Sequence, residues 1–322
     1  MMFLKRIPRL ILFCLILILI FSCQQANDPD PKDKKLRVIA TIFPVYDFAR
    51  NIGGDKINIK MLLPPGTDAH HYELRPEDIV RVTKADVFLF TNFELEQWAY
   101  KIIKAADKNT NMLAVETGNG AILLPLDQEE ANHDTHENHD GHVSRFDPHI
   151  WLDMDNAQKM VDNITEAFIQ KDPRNSDYYL KNAGDYKRKL VNMDQRYRTA
   201  LAACKTRTVL HAGHWAFAYL AARYHLQYIA AYNVFADAEP APQQIFVLID
   251  QIKNEKVSHV YYEDMMNPRL AKTIASETGA GLLKLNNGHD ISKADINKGE
   301  TFLSLMEKNL ISLQKGLQCP KQ

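Results

Sequence analysis

The sequence predicts an α/β protein of two lobes, each with a parallel sheet flanked by helices, the lobes joined by one long rigid helix. Short apolar runs alternate with helical stretches on both sides of residue 172, the pattern of parallel sheets covered on both faces. Between the two sets lies one uninterrupted helical periodicity far longer than the others. Candidate ligand side chains recur at the ends of predicted strands, where open sheets of this kind bind small ligands.

The 322-residue chain opens with Lys5, Arg6 and Arg9, then an apolar run over 10–21, then Ser22-Cys23. A basic start and about a dozen apolar residues make a secretory signal, too short for a comfortable membrane span. Ile20-Phe21-Ser22-Cys23 resembles a bacterial lipobox, which implies cleavage after residue 22 and a lipid anchor on Cys23. Ordinary secretion with a free Cys23 is the alternative. Residues 23–35 are polar and proline-bearing and suit a tether. Loss of residues 1–22 removes three basic residues from 39 and none of the 40 acidic ones, leaving a formal charge of −4. No basic surplus points to nucleic acid.

The first lobe spans 36–171. Predicted strands cover 36–41, 57–63, 86–91 and 112–116; helices cover 43–51, 77–84 and 94–105, with a further helix over 155–170. After the second strand, Pro64-Pro65-Gly66-Thr67-Asp68-Ala69-His70-His71 builds a fixed turn in front of two histidines. Either one could simply hydrogen-bond locally.

Five of the 12 histidines fall in residues 129–153. Over 129–143, His133, His136, His139 and His142 recur every third residue among acidic and small polar side chains. That composition cannot bury a core and reads as a mobile accessory metal loop, against the plainer reading of a solvated polar loop. From Phe146 the register changes. Asp147-Pro148-His149-Ile150-Trp151-Leu152-Asp153 sets one histidine among large apolar residues, as a folded site would.

Residues 172–204 carry the link. Tyr179, Ala183, Tyr186, Leu190, Met193, Tyr197 and Leu201 recur at steps of three and four, one face of a helix over 174–204. At 1.5 Å per residue it is on the order of 40 Å long, a strut that crosses a whole domain. The second lobe, 205–322, repeats the layout. Its strands are predicted over 207–210, 227–231, 257–263 and 281–285, and its helices over 214–224, 243–254, 268–278 and 298–314. Cys204 and Cys319 are candidates for a disulfide tying the tail to the start of this lobe, or remain two free thiols.

His70, His149, His214 and either Glu263 or His289 sit at predicted strand-to-helix loops, two from each lobe. If the lobes face each other, these side chains meet in one cleft. Three imidazoles plus a carboxylate or a fourth imidazole make a closed tetrahedral zinc site.

These residues resemble the solute-binding proteins of ABC importers for zinc and manganese, over nearly the whole of 36–317. Pro64-Pro65-Gly66-Thr67-Asp68-Ala69-His70, Asp147-Pro148-His149-Ile150-Trp151-Leu152-Asp153 and His214-Trp215-Ala216-Phe217-Ala218-Tyr219 look like the family's first three ligand motifs. Val260-Tyr261-Tyr262-Glu263 and 274–280 look like its second-lobe elements. The resemblance implies His70, His149 and His214 as ligands, with His71 and His211 as neighbours. It also implies a long rigid helix between the lobes, partnership with a permease and its ATPase, and action as a monomer on the outer side of a bacterial membrane. A histidine at 214 and the histidine-rich loop favour Zn2+ over Mn2+. The family often has an aspartate in the loop after the last strand. This chain reads Asn286-Asn287-Gly288-His289-Asp290 there, so the fourth ligand stays open among Glu263, His289, Asp290 and water.

No catalysis is needed for such a role, and no P-loop is present. The rival from another class is a zinc hydrolase using Glu263 as general base, although no His-Glu-x-x-His motif appears. A metal-dependent surface adhesin would share the same site.

Overall fold

The computed structural model describes residues 35–70, 72–106, 110–126, 145–234, 242–255, 257–263, 268–289 and 291–320. The expected signal, Cys23, the tether up to residue 34, the histidine-rich loop, His71 and Asp290 lie outside them.

In the first lobe β1 (Leu36–Ala40) leads through α1 (Phe43–Gly53) to β2 (Ile57–Met61), and α2 (Pro76–Thr83) leads to β3 (Val87–Phe90). α3 (Ala99–Ala106) leads to β4 (Leu113–Glu116). The strands are all parallel, in the order β2-β1-β3-β4. Parallel neighbours need a crossover connection, and the intervening helices supply it. β3, Val-Phe-Leu-Phe, is buried along its whole length, because helices cover both faces of a parallel sheet. α4 (Met154–Lys171) is capped by Asp153, whose side chain accepts from the N–H groups of Asp155 and Asn156.

The link, α5, runs over Ser176–Leu201, 26 residues, and buries Tyr179, Ala183, Tyr186, Leu190, Met193, Tyr197 and Leu201. This is the face that the spacing predicts. It begins later than residue 174 because Pro173–Asn175 forms a separate 3-10 turn.

The second lobe repeats the plan with β5 (Thr208–His211), α6 (Ala218–Arg223), β6 (Gln227–Ala230), α7 (Pro242–Glu255) and β7 (His259–Tyr262). α8 (Arg269–Thr278), β8 (Gly281–Lys284), α9 (Lys293–Asn297) and α10 (Phe302–Gly316) complete it. Its parallel order, β6-β5-β7-β8, matches that of the first sheet.

Three helices start later than their composition suggests. The 94–98 stretch is a turn, in which the side chains of Asn92 and Glu96 take up the backbone N–H groups of Leu95 and Thr91. Residues 212–217 are loop, and α6 keeps only six residues. At the tail, Gly299 at φ +79° ends one short helix, and a reciprocal Thr301–Ser304 capping box opens α10.

Residues from Leu36 onward form one compact unit. One core runs from the first sheet through α5 into α6 and α10, while Leu210, Leu248, Ile252, Val260 and Ile274 belong to a second, smaller core in the outer part of the second lobe. α10 is fastened across the rod: Phe302 meets Phe48 edge-on at 5.0 Å and donates its N–H to Asp47 at 2.9 Å, and the Tyr197 hydroxyl donates to the Met306 carbonyl at 2.6 Å. A Cys204–Cys319 disulfide closes the same end. Arg223 of α6 contacts Asp153 and Asp155 at 2.9 Å each and Asp194 of α5 at 2.6 Å.

Candidate metal centre

Each cleft histidine is aimed by an acceptor for its own backbone N–H. The turn after β2, with Gly66 at φ +80°, leads to Asp68, whose Oδ1 accepts the His70 N–H at 2.9 Å. Asp147 Oδ1 accepts the His149 N–H at 2.8 Å, and Asn287 Oδ1 accepts the His289 N–H at 3.0 Å. All three are Asx turns, in which a short side chain mimics a backbone turn. His214 has no such neighbour. Its N–H reaches Glu263 Oε1, 49 residues away, at 3.1 Å.

Two rings are also held from behind. His149 Nδ1 lies 2.8 Å from Asp147 Oδ1, and His214 Nδ1 lies 2.8 Å from Glu263 Oε1. Each carboxylate therefore assigns the ring proton to Nδ1 and leaves Nε2 as the outward lone pair. The other Glu263 oxygen accepts from Asn287 Nδ2 at 2.9 Å, and the Asn287 carbonyl accepts from Trp151 Nε1 at 2.7 Å. That chain joins the lobes beside the site. Gly213 is required where it stands, because a Cβ there would lie 2.4 Å from Glu263 Oε1.

The four histidines converge. His70, His149, His214 and His289 each offer one nitrogen, and these atoms all lie within 4.8 Å of one another. His149 Nε2 and His214 Nε2 are 3.3 Å apart. A tetrahedral zinc with bonds near 2.0–2.1 Å places its nitrogens about 3.4 Å apart. The six ring-centroid separations run from 5.2 to 6.1 Å, so no imidazole is set apart from the other three. His149, His214 and His289 are buried, and His70 is half-buried.

Burial holds the His70 and His149 imidazoles well below the usual 6.5, and the neighbouring imidazoles push the same way. They are neutral, the state in which an imidazole can take a metal. Burial also takes His211 down to about 4; it is a neighbour whose Nε2 faces Glu263 Oε1 at 3.5 Å. Burial alone would raise the Glu263 carboxyl, but the charge and hydrogen bond of His214, with His211 and His289, bring it to about 2. Asp147 goes the other way. Burial pushes it up to about 7 despite the His149 N–H and the His214 charge.

Of the residues singled out from sequence, the structure thus brings His70, His149, His214 and His289 together and places Glu263 behind His214. His133, His136, His139 and His142 lie outside the described residues. Sequence reasoning overlooked the orienting roles of Asp68, Asp147 and Asn287. The signal was present: three of the four histidines follow an Asx residue by two positions.

Residues 38–316 match the family described as zinc-uptake complex component A, periplasmic. The chain is 31% identical over 306 residues to the zinc-binding lipoprotein AdcA of Streptococcus pneumoniae (strain ATCC BAA-255 / R6), covering 95% of this chain and 60% of that protein. It is 31% identical over 304 residues to the high-affinity zinc uptake system protein ZnuA of Bacillus subtilis (strain 168), covering 93% of this chain and 94% of that one. Among solved structures, the Zn(II)-bound ZnuA-like domain of S. pneumoniae AdcA superposes with a TM-score of 0.75 at 29% identity, covering 88% of this chain and 99% of the domain. The metal-dependent lipoprotein YcdH of B. subtilis gives the same TM-score and coverage at 30% identity.

Proposed function

Because the chain belongs to the family of periplasmic zinc-uptake complex component A proteins, we propose that it is the high-affinity zinc-binding component of an ABC-type importer. It captures Zn2+ outside the inner membrane and delivers it to a permease driven by a separate ATPase. The metal is cargo, and no catalysis is involved. Signal cleavage after residue 22 and a lipid on Cys23 would keep this monomeric protein at the membrane face where the permease works. The histidines of 129–143 would raise the local metal concentration.

The observation that carries this reading is the meeting of four imidazole nitrogens, two from each lobe, at separations suited to a tetrahedral borderline metal. We assign His70, His149, His214 and His289 as the ligands. Glu263 is the support of His214, since one of its oxygens takes both His214 N–H groups and the other takes Asn287. That placement speaks against Glu263 as the general base of a hydrolase. An imidazole-only shell also favours zinc over manganese, which prefers oxygen ligands.

Metal analysis of purified protein lacking residues 1–23, with zinc–manganese competition, tests the proposal. One tightly held zinc per chain, retained over excess manganese and still present after deletion of 129–143, is expected. Preference for manganese, or loss of the tight site with the loop, would overturn it.

A further inference from the structure

The 91–98 turn touches both first-lobe ligand loops without contributing a ligand. Asn92 Nδ2 donates to the Pro148 carbonyl at 3.1 Å, and Trp98 Nε1 donates to the Ala69 carbonyl at 3.2 Å. Pro148 immediately precedes His149, and Ala69 immediately precedes His70. All four of these contacting residues lie within the protein: Asn92 is 6% exposed, Trp98 8% and Ala69 0%, and Pro148 is buried.

The turn itself is fixed from within. Asn92 Oδ1 accepts the Leu95 N–H at 2.9 Å, and the buried Glu96 carboxylate accepts the Thr91 N–H at 2.5 Å. Trp98 is braced edge-on by Tyr72 at 5.3 Å. An ordinary helix from residue 94 would leave both groups unpaired, since Thr91 precedes it and Leu95 falls among its first four N–H groups. Here side chains supply their acceptors, and α3 begins at Ala99.

We propose that the 91–98 turn is a positioning bracket for the metal centre, in which Asn92 and Trp98 hold the peptide carbonyls before His149 and His70 and so set the separation of the two first-lobe imidazoles. The inference rests on the four-imidazole site proposed above. Asn92 and Trp98 touch no metal and act only through the two histidines. Holding two ligands at one spacing lets a small cation of fixed geometry bind without first ordering the loops.

A double-mutant cycle on the full chain tests it, with zinc affinity read by chelator competition and ligand geometry by the visible absorption of bound Co2+. Trp98→Phe keeps the ring and removes the donor. It should weaken zinc about fivefold to tenfold, less than loss of a group bonded directly to a ligand ring, and alter the Co2+ spectrum. In a His70→Ala background the same substitution should have no further effect, because its route to the metal is gone. Asn92→Ala should keep its own loss in that background, since it acts through His149. Val82→Ala, a buried truncation in the same lobe, supplies a control with stability loss and an unchanged Co2+ spectrum. Equal losses from Trp98→Phe with and without His70, or no loss in either, would overturn the bracket alone. Unchanged zinc affinity in His70→Ala itself would overturn the site and the bracket with it.

Discussion

Asp147 and Glu263 each set one oxygen against both the backbone N–H and the Nδ1 of a cleft histidine, one in each lobe. Their routes differ. Asp147 stands two residues from His149, so local chain geometry makes the pair, whereas Glu263 reaches His214 across 49 residues and through the packing of β5 against β7. Their charges differ too. Glu263 is held near 2 by three imidazoles, and Asp147 is raised to about 7 by burial. One half of the cleft is therefore fully charged in advance, while the other is only partly ionised at neutral pH until a cation arrives. The second lobe supplies standing attraction; the first supplies a response.

Removing a ligand from either half is the most severe way to break this comparison. His149→Ala should lower zinc affinity by well over a hundredfold, measured by chelator competition, since it removes a ligand and leaves Asp147 without its ring. Neutralising the supports separates the halves more finely. Glu263→Gln should cost about a hundredfold and Asp147→Asn about tenfold, within the range for groups behind metal ligands. The reverse order would mean that standing charge matters less than local aim.

The pH profile sharpens the same contrast. Zinc favours the ionised Asp147, so binding expels a proton there. Affinity is then full above about 7 and falls by up to tenfold per unit as pH drops below it. Asp147→Asn should flatten that slope in a binding titration. Glu263→Gln should leave it, because a carboxyl at about 2 is ionised throughout. Protonation of His70 and His149 steepens the fall only below the ordinary 6.5. Cys204→Ser should have the smallest effect on zinc. It opens a loop of 115 residues and should destabilise folding by about 2–5 kcal/mol in denaturant, with affinity unchanged, because the bond ties the tail to the end of the linking helix, against the larger core, and supplies no candidate ligand.

The same distinction between local and remote contacts governed what could be read from sequence. The stripe from Tyr179 to Leu201 is a periodic signal, and it gave the long helix and its buried face. The loop positions of His70 and His214 followed from the alternation of elements, and His149 stood out by the large apolar residues around it. The choice between Glu263 and His289 did not, because facing a cleft or backing an imidazole depends on a contact with His214 that no spacing encodes. The late start of α3 was hidden for a related reason. Residues 94–98 have helical composition, but they form a turn in which the Leu95 and Thr91 N–H groups go to the side chains of Asn92 and Glu96, contacts that composition does not reveal.

The two cores have a consequence for how the molecule comes apart. Val260 and Leu210 sit in the smaller core, on the strands that precede Glu263 and His214, while His70 and His149 are anchored in the larger one. Val209 and Tyr261 of the same strands, with Phe217 beside His214 and Leu285 and Ile291 on either side of His289, nevertheless lie in the larger core, so a metal held by all four histidines cross-links two lobes that already share it. Zinc then fastens the join between the lobes, and its binding energy must be surrendered before the two can part.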